Sequence, residues 1–470
     1  MLELEEEKKL RNKLFLKREN GAKMISDCEI SDSEKFSEEY KNYLNRSKTE
    51  RENVLYILGK ALENGFYWFD KNKKYSAGDK VVFINKNCSI VLAVIGKNGV
   101  KNGAKLAVAH IDAPRLDLKP NPLFESGNLA MLKTHYYGGI KKYQWTTIPL
   151  ALHGLVYKRD GSSVEIVLGE NNDEPCFCVT DLLPHLANEQ INKKMSEAIR
   201  GEDLNVMFGS LPYKEASGFD LVKFNILRLL NEKYGMVEED FVASDLKLVP
   251  AGKARDVGLD RSMIGGYAHD DRSCAYSCLE AILNCTNPAK TTISFFVDKE
   301  ETGSDGNTGM KSKFLEYFIS DLADMDDVSP REAITKSKCL SADVNAAFDP
   351  TYSSNYDLNN SSYINRGVVL TKYTGSGGKY GTSDASAEYT GEICKLLSDN
   401  GVLWQSSELG IVDNGGGGTI AKYIANLNMD VIDVGVPVLS MHAPFEVISK
   451  IDLYMTYKAI LTFFSDYDES

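Results

Sequence analysis

The stretch TISFFVDKEETGSDGNTG, residues 292–309, joins an apolar run to a charged, glycine-rich turn. The run from Ile293 to Val297 predicts a buried strand. It ends next to two adjacent glutamates, Glu300 and Glu301. Adjacent carboxylates repel each other and are costly to bury without a partner, so a solvated turn is the simplest interpretation of this pair alone. The rest of the sequence changes that interpretation.

Other apolar runs also end at a histidine or an acidic residue. Predicted strands and helices alternate before residue 116 and after about residue 250, which indicates an α/β sheet. Ligands of such sheets bind outside the carboxyl ends of the strands, so these side chains are expected to converge on one crevice. Mixed nitrogen and oxygen donors suit Zn²⁺, and they also suit Mn²⁺ or Co²⁺. The donors at strand ends are His110, Asp270, Glu300, Glu301, Asp343 and His442.

The donor set favours two metal ions rather than one. Two ions roughly 3.5–4 Å apart need a bridging group, usually a carboxylate, and further ligands on each ion. Five protein ligands, one of them bridging, provide three contacts for each ion and leave room for a water. One of the two adjacent glutamates can then bind metal while the other stays free as a general base. Gly303 and Gly306 allow the backbone to bend so that both side chains reach the crevice.

Residues 116–248 differ in character from the flanking sequence. They contain short predicted strands with turn signals, such as the hairpin turn at Arg159-Asp160-Gly161, and a predicted helix in ANEQINKKMSEAIR, residues 187–200. We therefore predict one domain built from residues 1–115 and 249–470, with a strand-rich second domain of residues 116–248 inserted into it.

Composition narrows the functional classes. The chain has 470 residues, 54 basic and 67 acidic, with a net charge of −13, which argues against nucleic acid or an anionic membrane as the main partner. No window holds the ~18 apolar residues that a membrane span needs, and the charged first residues lack an apolar signal core. Nine cysteines without a CxxC pair predict reduced thiols and a cytoplasmic protein.

The order of short motifs along the chain is more specific than any one of them. They are H-I-D at 110–112, Y-G-G at 137–139, P-H-L-A at 184–187, D-D-R at 270–272, E-E at 300–301, S-A-D at 341–343 and M-H at 441–442. With these motifs the sequence resembles the M18 family of metallo-aminopeptidases, the aspartyl-aminopeptidase group. The wider resemblance is to the two-metal peptidases of the M20 and M42 families.

The resemblance implies a mixed-sheet α/β/α peptidase domain, with the inserted domain as a dimerisation module. It implies an enzyme that hydrolyses N-terminal residues from short peptides through a water activated by two metal ions. Members of the family assemble as dodecamers, so a dimer-based homo-oligomer is expected.

The resemblance also implies a role for each matching residue. Asp112 would orient a ligand imidazole through a hydrogen bond. Glu300 would act as general base and pass its proton to the leaving amine. His185 of the inserted domain would reach the active site of a neighbouring subunit. The implied ligands are Asp270 as the bridge, His110 and Asp343 on one ion, and Glu301 and His442 on the other.

Departures from the family pattern concern the substrate pocket. Where family members that prefer acidic residues often read S-A-D-M-A-H, this chain has Ala346 in place of the histidine. A later A-x-H-P stretch has Asp349 at its histidine position. Lys372 stands where the family places a basic residue, with Lys379 as a second choice, although most lysines are simply exposed. Either an acidic or a neutral N-terminal residue therefore stays open.

Two other functions remain possible on the sequence alone. One is a related two-metal amidohydrolase or deacylase, which a substrate screen would distinguish. The other is a non-catalytic assembly protein that has kept the fold. Loss of Glu300 or of a metal ligand would have indicated the second alternative, and every one of these residues is present.

Overall fold

Helices cover both faces of the main sheet. The computed structural model describes residues 2–16 and 19–466, without the side chains of residues 2–4 and 12. Among these residues, no helix combines the length and apolar character needed to cross a membrane. The α-helices of the described residues are α1 (Leu2–Leu14), α2 (Asp27–Arg46), α3 (Glu50–Glu63), α4 (Asn188–Ile191), α5 (Met195–Ala198), α6 (Leu221–Tyr234), α7 (His269–Asn284), α8 (Phe314–Met325), α9 (Pro330–Thr335), α10 (Ala387–Asp399), α11 (Ala421–Ala425) and α12 (Lys450–Ser465).

Strands of the described residues form three larger sheets and one short two-stranded ribbon. Their bounds are β1 (Tyr67–Trp68), β2 (Lys80–Asn85), β3 (Ser89–Val94), β4 (Lys105–His110), β5 (Arg115–Ser126), β6 (Leu129–Tyr137), β7 (Leu150–Tyr157), β8 (Ser163–Leu168), β9 (Cys178–Val179), β10 (Val206–Gly209), β11 (Ser244–Pro250), β12 (Arg255–Val257), β13 (Met263–Gly266), β14 (Thr292–Val297), β15 (Lys338–Ala342), β16 (Asn345–Ala346), β17 (Val368–Thr371), β18 (Gly375–Ser376), β19 (Trp404–Ser406), β20 (Gly416–Gly417), β21 (Asp430–Gly435), β22 (Pro437–Leu439) and β23 (Glu446–Ser449).

The largest sheet has nine strands in the order β1-β2-β3-β14-β4-β15-β21-β17-β19. Its central strands β14, β4, β15 and β21 run parallel to one another. Their carboxyl ends therefore meet at one edge of the sheet, as the sequence pattern predicts. The predicted strand in residues 292–309 is β14, and it is buried along its whole length.

Both faces of this sheet are covered, which makes the three-layer α/β/α architecture. In β4, Leu106 and Val108 point into one core, and Ala107 and Ala109 point into the other, following the two-residue period of a strand. Helices α8, α9 and α11 pack on the face of Leu106 and Val108, and α2, α3, α7, α10 and α12 pack on the opposite face. The mixed α/β fold class is confirmed.

A separate seven-stranded sheet has the order β8-β7-β11-β5-β6-β10-β9 and its own apolar core with α6. Its strands lie between Arg115 and Pro250, although the domain division at residues 116–248 stays a prediction. The helix predicted for residues 187–200 is confirmed only in part, because this segment forms the two single turns α4 and α5 in place of one helix. Most of its side chains are exposed, so it lacks the buried apolar face that stabilises a longer helix.

A five-stranded sheet, β12-β13-β23-β22-β16, stands beside the carboxyl edge of the main sheet. Its strand β16 follows Asp343, β13 precedes Asp270, and β22 precedes His442. This small sheet therefore connects three segments that carry predicted metal ligands.

Candidate metal centre

Three parallel strands place predicted ligands at one edge of the main sheet. His110 is the last residue of β4, Asp343 follows β15, and Glu300 and Glu301 lie in a short helical turn after β14. The neighbouring strand β21 approaches closely, since a Cβ on Gly435 would lie 1.7 Å from the Asp343 carbonyl oxygen. Only glycine fits that approach, so the identity of this residue helps to place Asp343.

Asp270 and His442 reach the same edge from the five-stranded sheet. Asp270 lies in the irregular first turn of α7, where the Asp270–Asp271 peptide bond is cis. His442 follows β22 in a left-handed conformation with a φ of 64°. Both predicted ligands therefore lie on backbone outside regular helix or strand geometry.

The Asp270 carboxylate lies between the two imidazoles. Its Oδ1 atom is 3.1 Å from His110 Nε2, and its Oδ2 atom is 3.2 Å from His442 Nε2. On one side, Asp343 Oδ1 is 3.9 Å from His110 Nε2. On the other side, Glu301 Oε2 is 3.6 Å from His442 Nε2. The structure thus brings all five predicted ligands together, with Asp270 in the middle.

Asp112 organises the groups around it from a fully buried position. Its carboxylate accepts hydrogen bonds from the backbone N–H groups of Glu300, at 3.1 Å, and Glu301, at 3.2 Å. Its Oδ1 atom also lies 3.3 Å from Nδ1 of His110. Burial opposes the ionised form, but the hydrogen bond from His110 leaves the pKa of Asp112 below its usual value. Asp112 therefore holds the His110 ring and the glutamate turn in one arrangement.

The end of β6 and the residues that follow it contact the site from the seven-stranded sheet. The Tyr137 hydroxyl donates a 2.7 Å hydrogen bond to Asp112 Oδ2. The Arg115 guanidinium lies 3.8 Å from the centroid of the Tyr137 ring. His442 Nδ1 is 2.8 Å from the carbonyl oxygen of Gly139. Because a carbonyl can only accept, Nδ1 carries the proton in this bond, and Nε2 faces Asp270.

Acidic groups outnumber basic groups in this buried cluster. Burial raises the pKa of the Glu300 carboxyl to about 7, and it raises the pKa values of Glu301 and Asp343 well above their usual range. Burial alone would lower the pKa of His442, but its hydrogen bond to Asp270 brings the pKa up to about 10. Two imidazoles cannot neutralise this many carboxylates, which favours bound cations.

The donor atoms fit divalent metal ions. Glu301 Oε1 is buried and has no hydrogen-bond partner among the described residues. Atoms of His110, Asp270 and Glu301 lie within 4.8 Å of one another, and so do atoms of His110, Asp271 and Asp343. Imidazole nitrogens and carboxylate oxygens are ligands that Zn²⁺ accepts. A cation bound to these donors would also satisfy the unpaired oxygen of Glu301.

Asp271, next to the predicted bridging residue, is a further acidic residue of the site with no predicted role. Asp271 Oδ2 accepts a 3.2 Å hydrogen bond from the backbone N–H of His110, while its Oδ1 has no partner among the described residues. Burial raises the pKa of its carboxyl well above the usual range. The adjacent acidic pair at 270–271 was the only signal of this residue in the sequence.

The structure does not bring Lys372 and His185 to the cluster. Lys372 follows β17 with an exposed side chain, and no ion pair within residues 2–16 and 19–466 joins it to the metal-site residues. Lys379 pairs with Asp384 at 3.0 Å and lies 3.6 Å from the Tyr373 ring centroid. His185 lies on an exposed helical turn of the seven-stranded sheet region.

Comparison with known proteins identifies the family of this chain. Residues 43–464 match the family model described as aminopeptidase I zinc metalloprotease (M18). A probable M18 family aminopeptidase 1 from Clostridium acetobutylicum is 48% identical over 461 residues, which cover 96% of this chain and 99% of the relative. The crystal structure of an M18 family aminopeptidase from Thermotoga maritima aligns with a TM-score of 0.91 at 42% identity, covering 96% of this chain and all of that chain.

More distant structures share the fold. The structure of the S. cerevesiae mApe1 dodecamer aligns with a TM-score of 0.75 at 20% identity, covering 92% of this chain and 97% of that chain. The family match spans most of the sequence, and its relatives are covered almost end to end. This chain therefore belongs to the M18 family of metallo-aminopeptidases and is a peptide-bond hydrolase.

Proposed function

We propose that the chain is a two-metal aminopeptidase that releases N-terminal residues from short peptides. His110 and Asp343 would hold one divalent ion, Glu301 and His442 the other, and Asp270 both. Zinc is the first choice, and Mn²⁺ or Co²⁺ also suits the donors. The observation that carries the proposal is the Asp270 carboxylate, with one oxygen 3.1 Å from one imidazole and the other oxygen 3.2 Å from the second.

Glu300 is proposed as the general base. A pair of bound divalent ions supplies Lewis acidity, which polarises a carbonyl and lowers the pKa of water to about 7. The Glu300 side chain is 18% exposed and that of Glu301 is 2% exposed, so Glu300 is the more accessible to a water or a substrate. With its pKa raised to about 7 by burial, Glu300 can take a proton near neutral pH and give it to the leaving amine.

Asp112 is proposed to act by positioning rather than by proton transfer. Its carboxylate is occupied by the backbone of the glutamate turn, by Tyr137 and by His110. These bonds fix where Glu300 stands relative to the ligand His110. A base must be within hydrogen-bond reach of its proton, so holding the turn is part of catalysis.

We also propose a homo-oligomer in which the 116–248 domain makes dimer contacts and His185 completes the site of the partner subunit. The region around His185 exposes large apolar side chains, which is typical of an interaction surface. A dodecamer built on such dimers is the expected assembly. The exposed side chains are Leu182, Leu183, Leu186, Ile191, Met195, Leu211 and Phe219.

A cytoplasmic location is proposed from the cysteine pattern. Most of the nine thiols are buried, and they are scattered over the fold. Burial raises the pKa of Cys274, Cys278 and Cys339 well above the usual thiol value, which makes these thiols unreactive.

The deciding experiment is metal removal followed by add-back. The protein is stripped with a chelator, and Zn²⁺, Mn²⁺ or Co²⁺ is returned while free amino acids released from short peptides are quantified. We expect activity to return at two ions per subunit. Cleavage of N-acylated amino acids without release from free peptides would favour the deacylase, and binding without hydrolysis of either would favour an assembly protein.

A further inference from the structure

Glu446 joins the backbones of two ligand residues. Its Oε1 atom accepts a 2.6 Å hydrogen bond from the backbone N–H of His442, and its Oε2 atom accepts a 3.0 Å hydrogen bond from that of Asp270. The residue is 1% exposed. The two carboxylate oxygens of Glu446 therefore contact the segments that carry Asp270 and His442.

The fold explains why this residue can reach both segments. Glu446 is the first residue of β23, which lies between β13 and β22 in the five-stranded sheet. Strand β13 leads to Asp270, and β22 leads to His442. The pairing of Glu446 with Gly266 sets its position along the neighbouring strand. The strand between two ligand-bearing segments thus contributes one carboxylate to both.

The two amides need such an acceptor because their backbone is irregular. The N–H of Asp270 is at the start of α7, where the first amides of a helix have no partner within the helix. His442 has a φ of 64°, which is uncommon for a residue other than glycine. A carboxyl group offers two oxygens as acceptors, so one side chain can satisfy both amides and stabilise both conformations.

We propose that Glu446 is a positioning residue for the metal centre. It holds Asp270 and His442 at the separation that lets the two side chains share an ion, without binding metal itself. The inference rests on the proposed two-metal function and extends it beyond the ligands. Residues that orient ligands typically change metal affinity by about 10–100-fold when they are replaced.

Asp452 provides a matched control in the same chain. It is 0% exposed, and its carboxylate also accepts two backbone N–H groups, from Asn365 at 2.6 Å and from Gly367 at 2.7 Å. Neither of these donors belongs to a ligand segment. Replacing either acid by its amide puts an NH₂ group opposite a backbone N–H, so the loss of hydrogen bonding is chemically the same.

The test compares Glu446→Gln, Glu446→Asp and Asp452→Asn with wild type. Thermal unfolding is measured on chelated protein, and zinc affinity is measured by competition with a chromogenic chelator, with zinc per subunit counted by mass spectrometry. We expect both amide variants to lower the Tm of the metal-free protein, and only Glu446→Gln to weaken zinc binding, by about 10–100-fold. Glu446→Asp, which is one methylene shorter, is expected to weaken zinc binding less.

Wild-type affinity in both Glu446 variants would overturn the inference, as would an equal loss of affinity in Asp452→Asn. If Glu446→Gln does not fold, the zinc affinity of Glu446→Asp decides. Wild-type protein that binds fewer than two ions would instead contradict the proposed function, so the two failures are distinguishable.

Discussion

Glu300 and Glu301 are sequence neighbours with different surroundings. The Glu301 side chain is buried and its Oε2 atom is 3.6 Å from His442 Nε2, whereas Glu300 is more open and its Oε2 atom is 4.0 Å from His110 Nε2. Adjacent residues in the helical turn point in different directions, so one side chain joins the ligands and the other faces the opening. The interpretation of this pair as a solvated turn does not fit these positions.

This difference predicts opposite results for the two glutamine variants. Glu300→Gln should keep its metal and lose turnover by about 10²–10⁴-fold, because the general base is gone. Glu301→Gln should lose metal from one position. Metal content and kcat are measured together, with the exposed Glu388→Gln as a control. If Glu300→Gln loses metal while Glu301→Gln keeps it, the two roles are assigned the wrong way round.

Lys372 remains the predicted determinant of an acidic preference. An acidic N-terminal side chain in a substrate pocket needs a cation, because an unpaired buried carboxylate is costly. The side chain of Lys372 is exposed and lies outside the metal-site cluster. If the preference is acidic and Lys372 sets it, wild type hydrolyses Asp- and Glu-anilides faster than Leu-, Met- or Lys-anilides, and Lys372→Met loses this difference. A wild type that prefers Leu, or a mutant that keeps the acidic preference, would exclude Lys372.

At the scale of elements, the end of β6 connects the second sheet to the metal centre. Tyr137→Phe removes one hydroxyl and keeps the ring against Arg115. We expect a loss of metal affinity of about 10-fold, because Asp112 is then held less firmly. Chelator competition measures the effect, and Tyr136→Phe, which changes the exposed neighbour, is the control. Equal affinities for wild type and Tyr137→Phe would show that the hydroxyl does not position the site.

The buried carboxyl of Asp452 in helix α12 makes the stability of the folded state depend on pH. Burial raises the pKa of Asp452 to about 7 from the ordinary aspartate range. The folded state binds this proton more tightly than the unfolded state, so the contribution to stability is present below about pH 4 and is lost as the pH rises through 7.

We therefore expect the stability of wild type relative to Asp452→Asn to fall between pH 4 and pH 8, by on the order of a few kcal/mol. Urea unfolding of both metal-free proteins across this range measures it. Both proteins are metal-free, so the metal-site groups titrate in the same way in each. Their contribution therefore cancels in the difference between the two unfolding free energies. A difference in unfolding free energy that stays constant with pH would contradict the prediction.

The sequence predicted the elements of the site better than the contacts between them. His110, Glu300 and Asp343 follow apolar runs, and a buried strand is recognisable from local pattern. The hydrogen bonds from His442 to the Gly139 carbonyl and from the Asp270 N–H to Glu446 join residues far apart in the chain. They depend on how sheets pack, and no local pattern encodes that. Residues 187–200 form two short turns in place of one helix for a similar reason, since whether a longer helix forms there depends on a buried face.

At the scale of the whole molecule, the exposed apolar side chains around His185 predict self-association. Leu186 is 69% exposed, and Leu186→Glu would place a charge in a subunit interface. We expect this variant to shift the protein toward smaller species in light scattering. Leu259→Glu, at an exposed leucine outside this region, should leave the assembly unchanged.

Activity should follow the assembly if His185 completes a partner's site. His185→Phe is then expected to lower turnover while the metal content and the oligomer stay as in wild type. A fully active monomer would rule out a contribution from the partner subunit.

The ligands of the metal centre are spread from His110 to His442. During synthesis the first imidazole leaves the ribosome long before the second, and domains generally form in order from the amino end. No fragment that ends before His442 contains both of the imidazoles that flank the Asp270 carboxylate. Metal capture at both positions must therefore wait until His442 has been made and β22 has joined its sheet. The proposed peptidase site is therefore complete only after synthesis has passed this point.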